Sequence, residues 1–180
     1  MPDWSFANLP RPEGSLLSPL GTLDDPSLSC LHPTLKRLVT YWRGKCAQRI
    51  APSRADIDPL ELGAALLPHV MLIDVISELG KRRYRFRLAG AEAGHYYAIE
   101  ANRRYFDEVL PPRALAVHTW IAEAVVSTRL PLRSIGVTQL TDLQWLLTEA
   151  VAFPILQNGE VTMLLVGAVR WPEGEPPPAA

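Results

Sequence analysis

His118 and Glu149 are the two side chains of this sequence whose type and position could support chemistry. His118 lies on the apolar face of a predicted helix, together with Val117, Ile121 and Val125. A histidine there could contact a bound molecule, exchange a proton or ligate haem iron. Because no second residue of metal-binding type lies nearby, we expect a pocket contact, or a partly buried histidine bonded to backbone, rather than a haem ligand.

The role of Glu149 depends on strand register. It occurs in the segment LQWLLTEAVAF, where strand alternation places it on the same face as Trp145 and Phe153. If that face lies toward the core, Glu149 is a buried carboxylate that needs a partner, and Arg87, His118 and a polar ligand group are the candidates. If a bulge shifts the register by one residue, Glu149 faces solvent. The sequence alone leaves both interpretations open.

The densest charge lies in residues 81–87, KRRYRFR, which hold five cations. Guanidinium groups on one strand face could follow a phosphate backbone. The cations alternate with Tyr84, Phe86 and Leu88, however, as they would on the solvated side of a half-buried strand. The whole chain has 18 Lys and Arg against 19 Asp and Glu. Because it also lacks a nucleic-acid-binding motif, we do not expect a nucleic-acid partner.

No sequence motif of an enzyme or of a metal site is present. The chain lacks G-x-S-x-G, a glycine-rich phosphate loop and H-E-x-x-H. Cys30 and Cys46 are isolated thiols without metal-ligand spacing, and no segment has the pattern of a signal peptide or a membrane span. We therefore predict a non-enzymatic, cytoplasmic protein with no metal site and no membrane contact. The sequence names no cofactor.

The 17 prolines outline the domain that must position these residues. Those near the two ends predict a Pro-rich flexible arm over 1–30 and a Pro-rich tail over 172–180. The chain is 48% apolar, which is enough for the core of one domain. We place that domain at 31–171.

Hydrophobic periodicity predicts the elements of this domain. An amphipathic helix begins at Pro33, a strand follows at 69–76, and its hairpin partner contains Tyr84 and Phe86. A longer helix is predicted from Pro111 to about residue 128. Three more strands are predicted at 132–140, 143–154 and 160–170, with a hairpin turn at Asn158-Gly159. The order predicts an α+β fold, a five-stranded antiparallel sheet with helices on one face and the amphipathic helix at its N-terminal end.

Several short motifs occur in a set order along the chain. They are Tyr41-Trp42, PSRADIDP at 52–59, Leu67-Pro68 before IDV at 73–75, and YRFRLAG at 84–90. Their order and spacing resemble the PAS domain, specifically the single-domain PAS-like family common in alphaproteobacteria. The resemblance covers residues 32–171.

The resemblance implies a sensory or regulatory module that signals to an unknown partner in trans. A PAS-like sheet can hold a small molecule beneath its helices, so the pocket candidates are His118, Glu149, Tyr96, Tyr97, Arg87 and Trp145. The resemblance also implies a homodimer or partner contact through the N-terminal helix, with the candidates Leu35, Leu38, Val39 and Trp42. The other interpretation of that helical stripe is packing on the chain's own sheet.

A structural protein-interaction adaptor is the alternative function, and a nucleic-acid binder through residues 81–87 is a third, less favoured one. If the chain is an adaptor, Trp145, Phe153 and Phe86 fill the space between the sheet and the helices, and no room remains for a ligand. A pocket lined by His118 and Glu149 would favour the sensor.

Overall fold

The computed structural model describes residues 28, 32–78, 80–95, 101–137 and 147–170. The helices are α1 (Pro33–Cys46), α2 (Gly63–Leu66), α3 (Ala91–His95), α4 (Phe106–Val109) and α5 (Pro112–Thr128). The strands are β1 (Val70–Glu78), β2 (Lys81–Ala89), β3 (Leu132–Val137), β4 (Leu147–Gln157) and β5 (Glu160–Arg170). Short 3-10 turns at Arg54–Asp56, Pro59–Leu62 and Leu67–His69 flank α2 between α1 and β1.

Most of the predicted arm and all of the predicted tail lie outside the described residues. Leu28 is the exception, because it is described and is buried in the same apolar cluster as α1. The chain before Pro33 therefore contributes to the core. No helix of the described residues is long and apolar enough to cross a membrane.

The five strands form one antiparallel sheet in the order β2-β1-β5-β4-β3, which confirms the predicted α+β fold. The turn at Asn158-Gly159 joins β4 to β5, and both residues have positive φ. β4 continues to Gln157, past the predicted end at Pro154. Its pairing with β3 stops at Ala152, so Pro154 lies where β4 is an edge and a missing N–H is tolerated.

A β-bulge changes the predicted alternation of the basic strand β2. The register between β1 and β2 holds up to the pair Ile73 and Phe86, but the next pair is Leu72 and Leu88. Arg87 is therefore an inserted residue. Leu88 packs on the face opposite to Phe86, where strict alternation predicted the same face.

α1 lies flat on one face of the sheet. Pro33 suits the first position of the helix, and the His32 ring caps it by accepting the Thr34 N–H. The helix approaches β5 closely because Gly167 has no side chain. A Cβ at that position would overlap the side chain of the buried Leu38.

α3, α4 and α5 cover the opposite face, so the sheet has helices on both sides. In β4, Val151 and Phe153 pack toward α1, whereas Ala152 between them packs toward α5. The sheet thus separates two apolar clusters, one on each of its faces. We call its two faces the α1 side and the α5 side.

Gly90→Ala is expected to lower the free energy of unfolding by about 1–3 kcal/mol, the usual cost of overpacking. A Cβ at Gly90 would overlap the backbone carbonyls of Leu67 and Pro68, which no side-chain rotation can relieve. Urea unfolding measures the change. Gly44→Ala is the matched control, because nothing lies within 4 Å of a Cβ there. Equal effects of the two variants would contradict the close approach at Gly90.

Candidate functional site

The sheet separates His118 from Glu149. The His118 ring meets the Phe106 ring edge-on, with 6.2 Å between their centroids, on the α5 side. Glu149 lies on β4 with the parity of Val151 and Phe153, which face α1. The prediction of one pocket lined by both groups is therefore wrong, because strand alternation directs Glu149 to the opposite face.

Glu149 is fully buried, so the core-facing interpretation of its register is the right one. Arg133 Nε on β3 donates to its Oε1 at 2.7 Å, and the His32 backbone N–H donates to its Oε2 at 2.9 Å. The Arg133 side chain is also buried. These partners replace the predicted Arg87 and His118. They supply the charge and the donors without which a carboxylate is not tolerated in a core.

His32 connects this buried carboxylate to α1. Its ring Nδ1 accepts the Thr34 N–H at 3.2 Å, so the cap requires that nitrogen to be unprotonated. Burial lowers the pKa of His32, the nearby Glu149 opposes that shift, and His69 adds to it. Through its backbone and its ring, His32 thus fixes the start of α1 over β4.

His118 is partly buried on α5, and its Nδ1 lies 2.8 Å from the carbonyl oxygen of Ala114. Because a carbonyl only accepts, Nδ1 carries the proton. Burial lowers the pKa of His118, and the bond to Ala114 opposes the shift in part. At neutral pH the imidazole is therefore uncharged, and it remains a pocket candidate on the α5 side.

Tyr84 and Glu123 form a contact between β2 and α5 that the sequence did not indicate. The Tyr84 hydroxyl donates to Glu123 Oε1 at 2.5 Å, and Arg82 pairs with Glu123 Oε2. Burial, followed by the bond to Glu123, raises the pKa of Tyr84. The sequence does show a tyrosine at a core-facing position of β2 and a glutamate in a mostly apolar helix. They are 39 residues apart, however, so no spacing rule joins them.

Carboxylates neutralise most of the cations of β2. Arg85 and Arg87 both bond to Asp74 on β1, at 3.0 and 2.7 Å, and the Asp74 side chain is buried. Arg83 makes two bonds to Asp107, at 2.8 and 3.1 Å. Arg87 therefore lies in a surface ion-pair network and not beside Glu149 or His118. Most of the charge that a phosphate backbone would need is therefore paired within the protein.

The four helix candidates for a dimer contact are buried in this chain's own core. Leu35, Leu38, Val39 and Trp42 all face the sheet. Trp42 stacks on Phe153 with 5.1 Å between ring centroids, and its Nε1 donates to the Pro154 carbonyl at 3.1 Å. Contact with a partner through this stripe is ruled out while α1 is docked, and the packing interpretation is the correct one.

Three pocket candidates, Tyr96, Tyr97 and Trp145, lie outside the described residues. Phe86 is fully buried on the α5 side, with 4.8 Å between its ring centroid and that of Phe106. In the described part of the chain, no group of three or more His, Cys, Asp or Glu residues is placed to hold a metal ion.

Comparison with known families agrees with this sheet and its flanking helices. A family model described as PAS domain matches residues 30–169. The chain belongs to the PAS domain family. PAS domains are generally sensory, non-catalytic modules, which supports a sensory or regulatory role. A search of the curated proteins and a search of the solved structures found no match. Membership of the alphaproteobacterial single-domain group stays a prediction.

In this PAS domain, Arg133→Met is expected to lower the free energy of unfolding by about 3–5 kcal/mol, because it leaves the Glu149 carboxylate buried without its ion-pair partner. The double variant Arg133→Met/Glu149→Leu should recover at least about half of that loss, since an apolar pair of similar volume leaves no unpaired buried charge. Urea unfolding of the three proteins measures both values. Additive losses in the double variant would show that the two residues act independently.

The imidazole of His118 is expected to titrate below its ordinary pKa of 6.5, because burial disfavours the charged form. The unfolded chain then binds the proton more readily, so the stability that this group contributes is present above pH 6.5 and falls as the pH drops through that value. NMR titration of the ring C–H signal, assigned with His118→Gln, measures the midpoint. A midpoint at or above 6.5 would contradict the burial of this ring.

Proposed function

We propose that this chain is a non-enzymatic PAS module that binds a small molecule or a protein and signals to a partner in trans through α1. The observation that carries the proposal is the bond between Glu149 and the start of α1. It links the N-terminal helix to the central sheet at a fully buried position. A change in the sheet therefore reaches α1 through a group that tolerates little displacement.

The α5 side is the side that we propose for binding. Its buried cluster contains seven alanines among the described residues, namely Ala93, Ala101, Ala114, Ala122, Ala124, Ala152 and Ala168. The buried cluster of the α1 side contains one, Ala51. We propose that these small side chains leave room for a ligand between the sheet and the helices. His118 supplies a polar group there.

The strands themselves connect the proposed binding side to α1. Ala152 faces the α5 side, and its neighbours Val151 and Phe153 face the α1 side. A ligand that shifts the backbone at Ala152 would thus also shift the residues on which α1 packs. Signalling would require the ligand to bind one arrangement of α1 more tightly than another.

A protein-interaction adaptor is the second candidate function, and the packing of Phe86 favours it. Phe86 is fully buried, and Tyr84 and Phe106 pack around it, with 5.6 Å between the centroids of these two rings. Large rings of this kind fill part of the α5 side with the protein's own atoms. In this alternative the module binds a partner protein and no internal ligand.

A cytoplasmic location and a homodimer belong to the same proposal. The isolated thiols of Cys30 and Cys46 suit a reducing compartment. A dimer would need a surface other than the buried stripe of α1, such as another exposed face of the domain. Sedimentation of the full chain measures the oligomeric state.

Native mass spectrometry of gently purified protein, with a thermal-shift screen of metabolites, tests the ligand proposal. A ligand present at about 100 times its Kd should raise the melting temperature by about 5–10 °C. His118→Phe should weaken this shift, because it keeps a ring against Phe106 and removes both nitrogens. His69→Phe is the control, since His69 is a second partly buried histidine, close to His32.

Two results would count against the ligand version. One is the absence of both a co-purifying molecule and any thermal shift across the panel. The other is a ligand whose shift is the same in His118→Phe as in the wild type, which would move the binding site away from α5. The first result would leave the adaptor function as the better account.

A further inference from the structure

The outer side of α1 carries a row of basic side chains. We call this surface the basic face; it consists of the exposed residues Lys36, Arg37, Thr40, Arg43 and Gly44. α1 contains no acidic residue. Within the described part of the chain, neither Lys36 nor Arg37 pairs with a carboxylate. The cations of β2, in contrast, are largely paired.

Two residues of the basic face are unfavourable choices for an isolated helix. Lys36 lies in the first turn, where the positive end of the helix dipole disfavours a cation. Gly44 destabilises a helix relative to alanine, and nothing within 4 Å of its Cβ position requires a glycine. Departures from local preference without an internal reason are typical of positions that serve a contact.

We propose that the basic face of α1 is the docking surface for the trans partner and that this partner presents an acidic helix. Lys36 and Arg37 supply the charge that carboxylates would meet. The missing side chain at Gly44 lets a second helix approach α1 closely, since the interaxial distance depends on the residues at the contact. The inference rests on the proposed signalling in trans and names the chemistry of the partner.

Two exposed apolar side chains lie near the C-terminal end of α1. Ile50 is 62% exposed and Leu60 is 79% exposed. Leu60 lies beside α1 because its neighbour Glu61 pairs with Lys45. Apolar anchors next to complementary charge are the usual composition of a protein interface.

Charge and packing disfavour the other occupants. A second copy of the chain would bring together two helices that carry only positive charge. A bilayer would need the apolar face of α1, but Leu35, Leu38 and Trp42 already bury that face against the sheet. A nucleic acid would leave Ile50 and Leu60 without apolar contacts.

The test uses the full chain and a labelled synthetic helical peptide that has glutamates on one face and leucines and alanines on the other. Fluorescence anisotropy should detect binding that weakens with salt and falls about tenfold or more in Lys36→Glu/Arg37→Glu. Lys81→Glu/Arg103→Glu is the matched charge control, because both residues are exposed and lie away from α1. We expect it to change the affinity by less than about twofold.

The variant Gly44→Gln tests docking independently of folding stability. Glutamine favours a helix more than glycine, so this variant should melt at a higher temperature. It should nevertheless bind the peptide about tenfold more weakly, because its side chain blocks close approach. Ala116→Gln, at an exposed position of α5, is the control for added bulk and should bind like the wild type.

Several results would overturn the inference. The first is no peptide binding, or equal binding of a peptide with lysine in place of glutamate. The second is tighter binding to duplex DNA or phosphatidylserine vesicles, or a dimer in sedimentation that Lys36→Glu/Arg37→Glu abolishes. The third is peptide binding that appears only in the variant Asp24→Asn/Asp25→Asn. That result would mean that the chain's own acidic N-terminal segment occupies the basic face.

The thermal-shift screen distinguishes a failure of this inference from a failure of the proposed function. If the α1 variants retain the ligand-induced shift and the wild type does not bind the peptide, the proposed docking surface is contradicted and the proposed ligand sensor is not. If the peptide binds as expected and no ligand raises the melting temperature, the proposed ligand sensor is contradicted and the proposed acidic partner is not.

Discussion

The bonds to the buried Glu149 carboxylate are the constraint on which the α1 side of this protein depends. A charge without solvent contact is stable in the core only if donors and a counter-charge surround it. Arg133 and the backbone of His32 meet that need from two different elements, β3 and the start of α1. The carboxylate thus ties three parts of the chain together, and α1 cannot leave the sheet without losing one of its bonds.

The two faces of the sheet are packed with different side chains. On the α1 side, Trp42 of the helix stacks on Phe153 of β4, and Gly167 lets the helix lie close to the sheet. The α5 side is rich in alanine and has a neutral histidine and the Tyr84 to Glu123 contact. In the proposed function, the α5 side binds the ligand and α1 transmits the signal. The outer face of α1 then remains available for a partner, since its apolar face is occupied.

Local patterns predicted the elements of the fold well and the contacts between them poorly. The helix at Pro33 and the turn at Asn158-Gly159 follow from proline and glycine chemistry within a few residues. The bulge at Arg87 does not, because it depends on how β2 pairs with β1. The partner of Glu149 was missed for a similar reason. Arg133 is 16 residues away, and only pairing of β3 with β4 brings it into reach.

The sequence by itself determined the two longer helices, the five strands, the apolar stripe of α1 and the PAS resemblance, because periodicity and turn chemistry are local properties. The tertiary structure decided on which side of the sheet each side chain lies. That choice separated Glu149 from His118, placed Arg85 and Arg87 on Asp74, and left Lys36 facing outward. The physical reason is that a carboxylate or a cation finds its partner through strand register and helix docking, which join residues far apart in the chain.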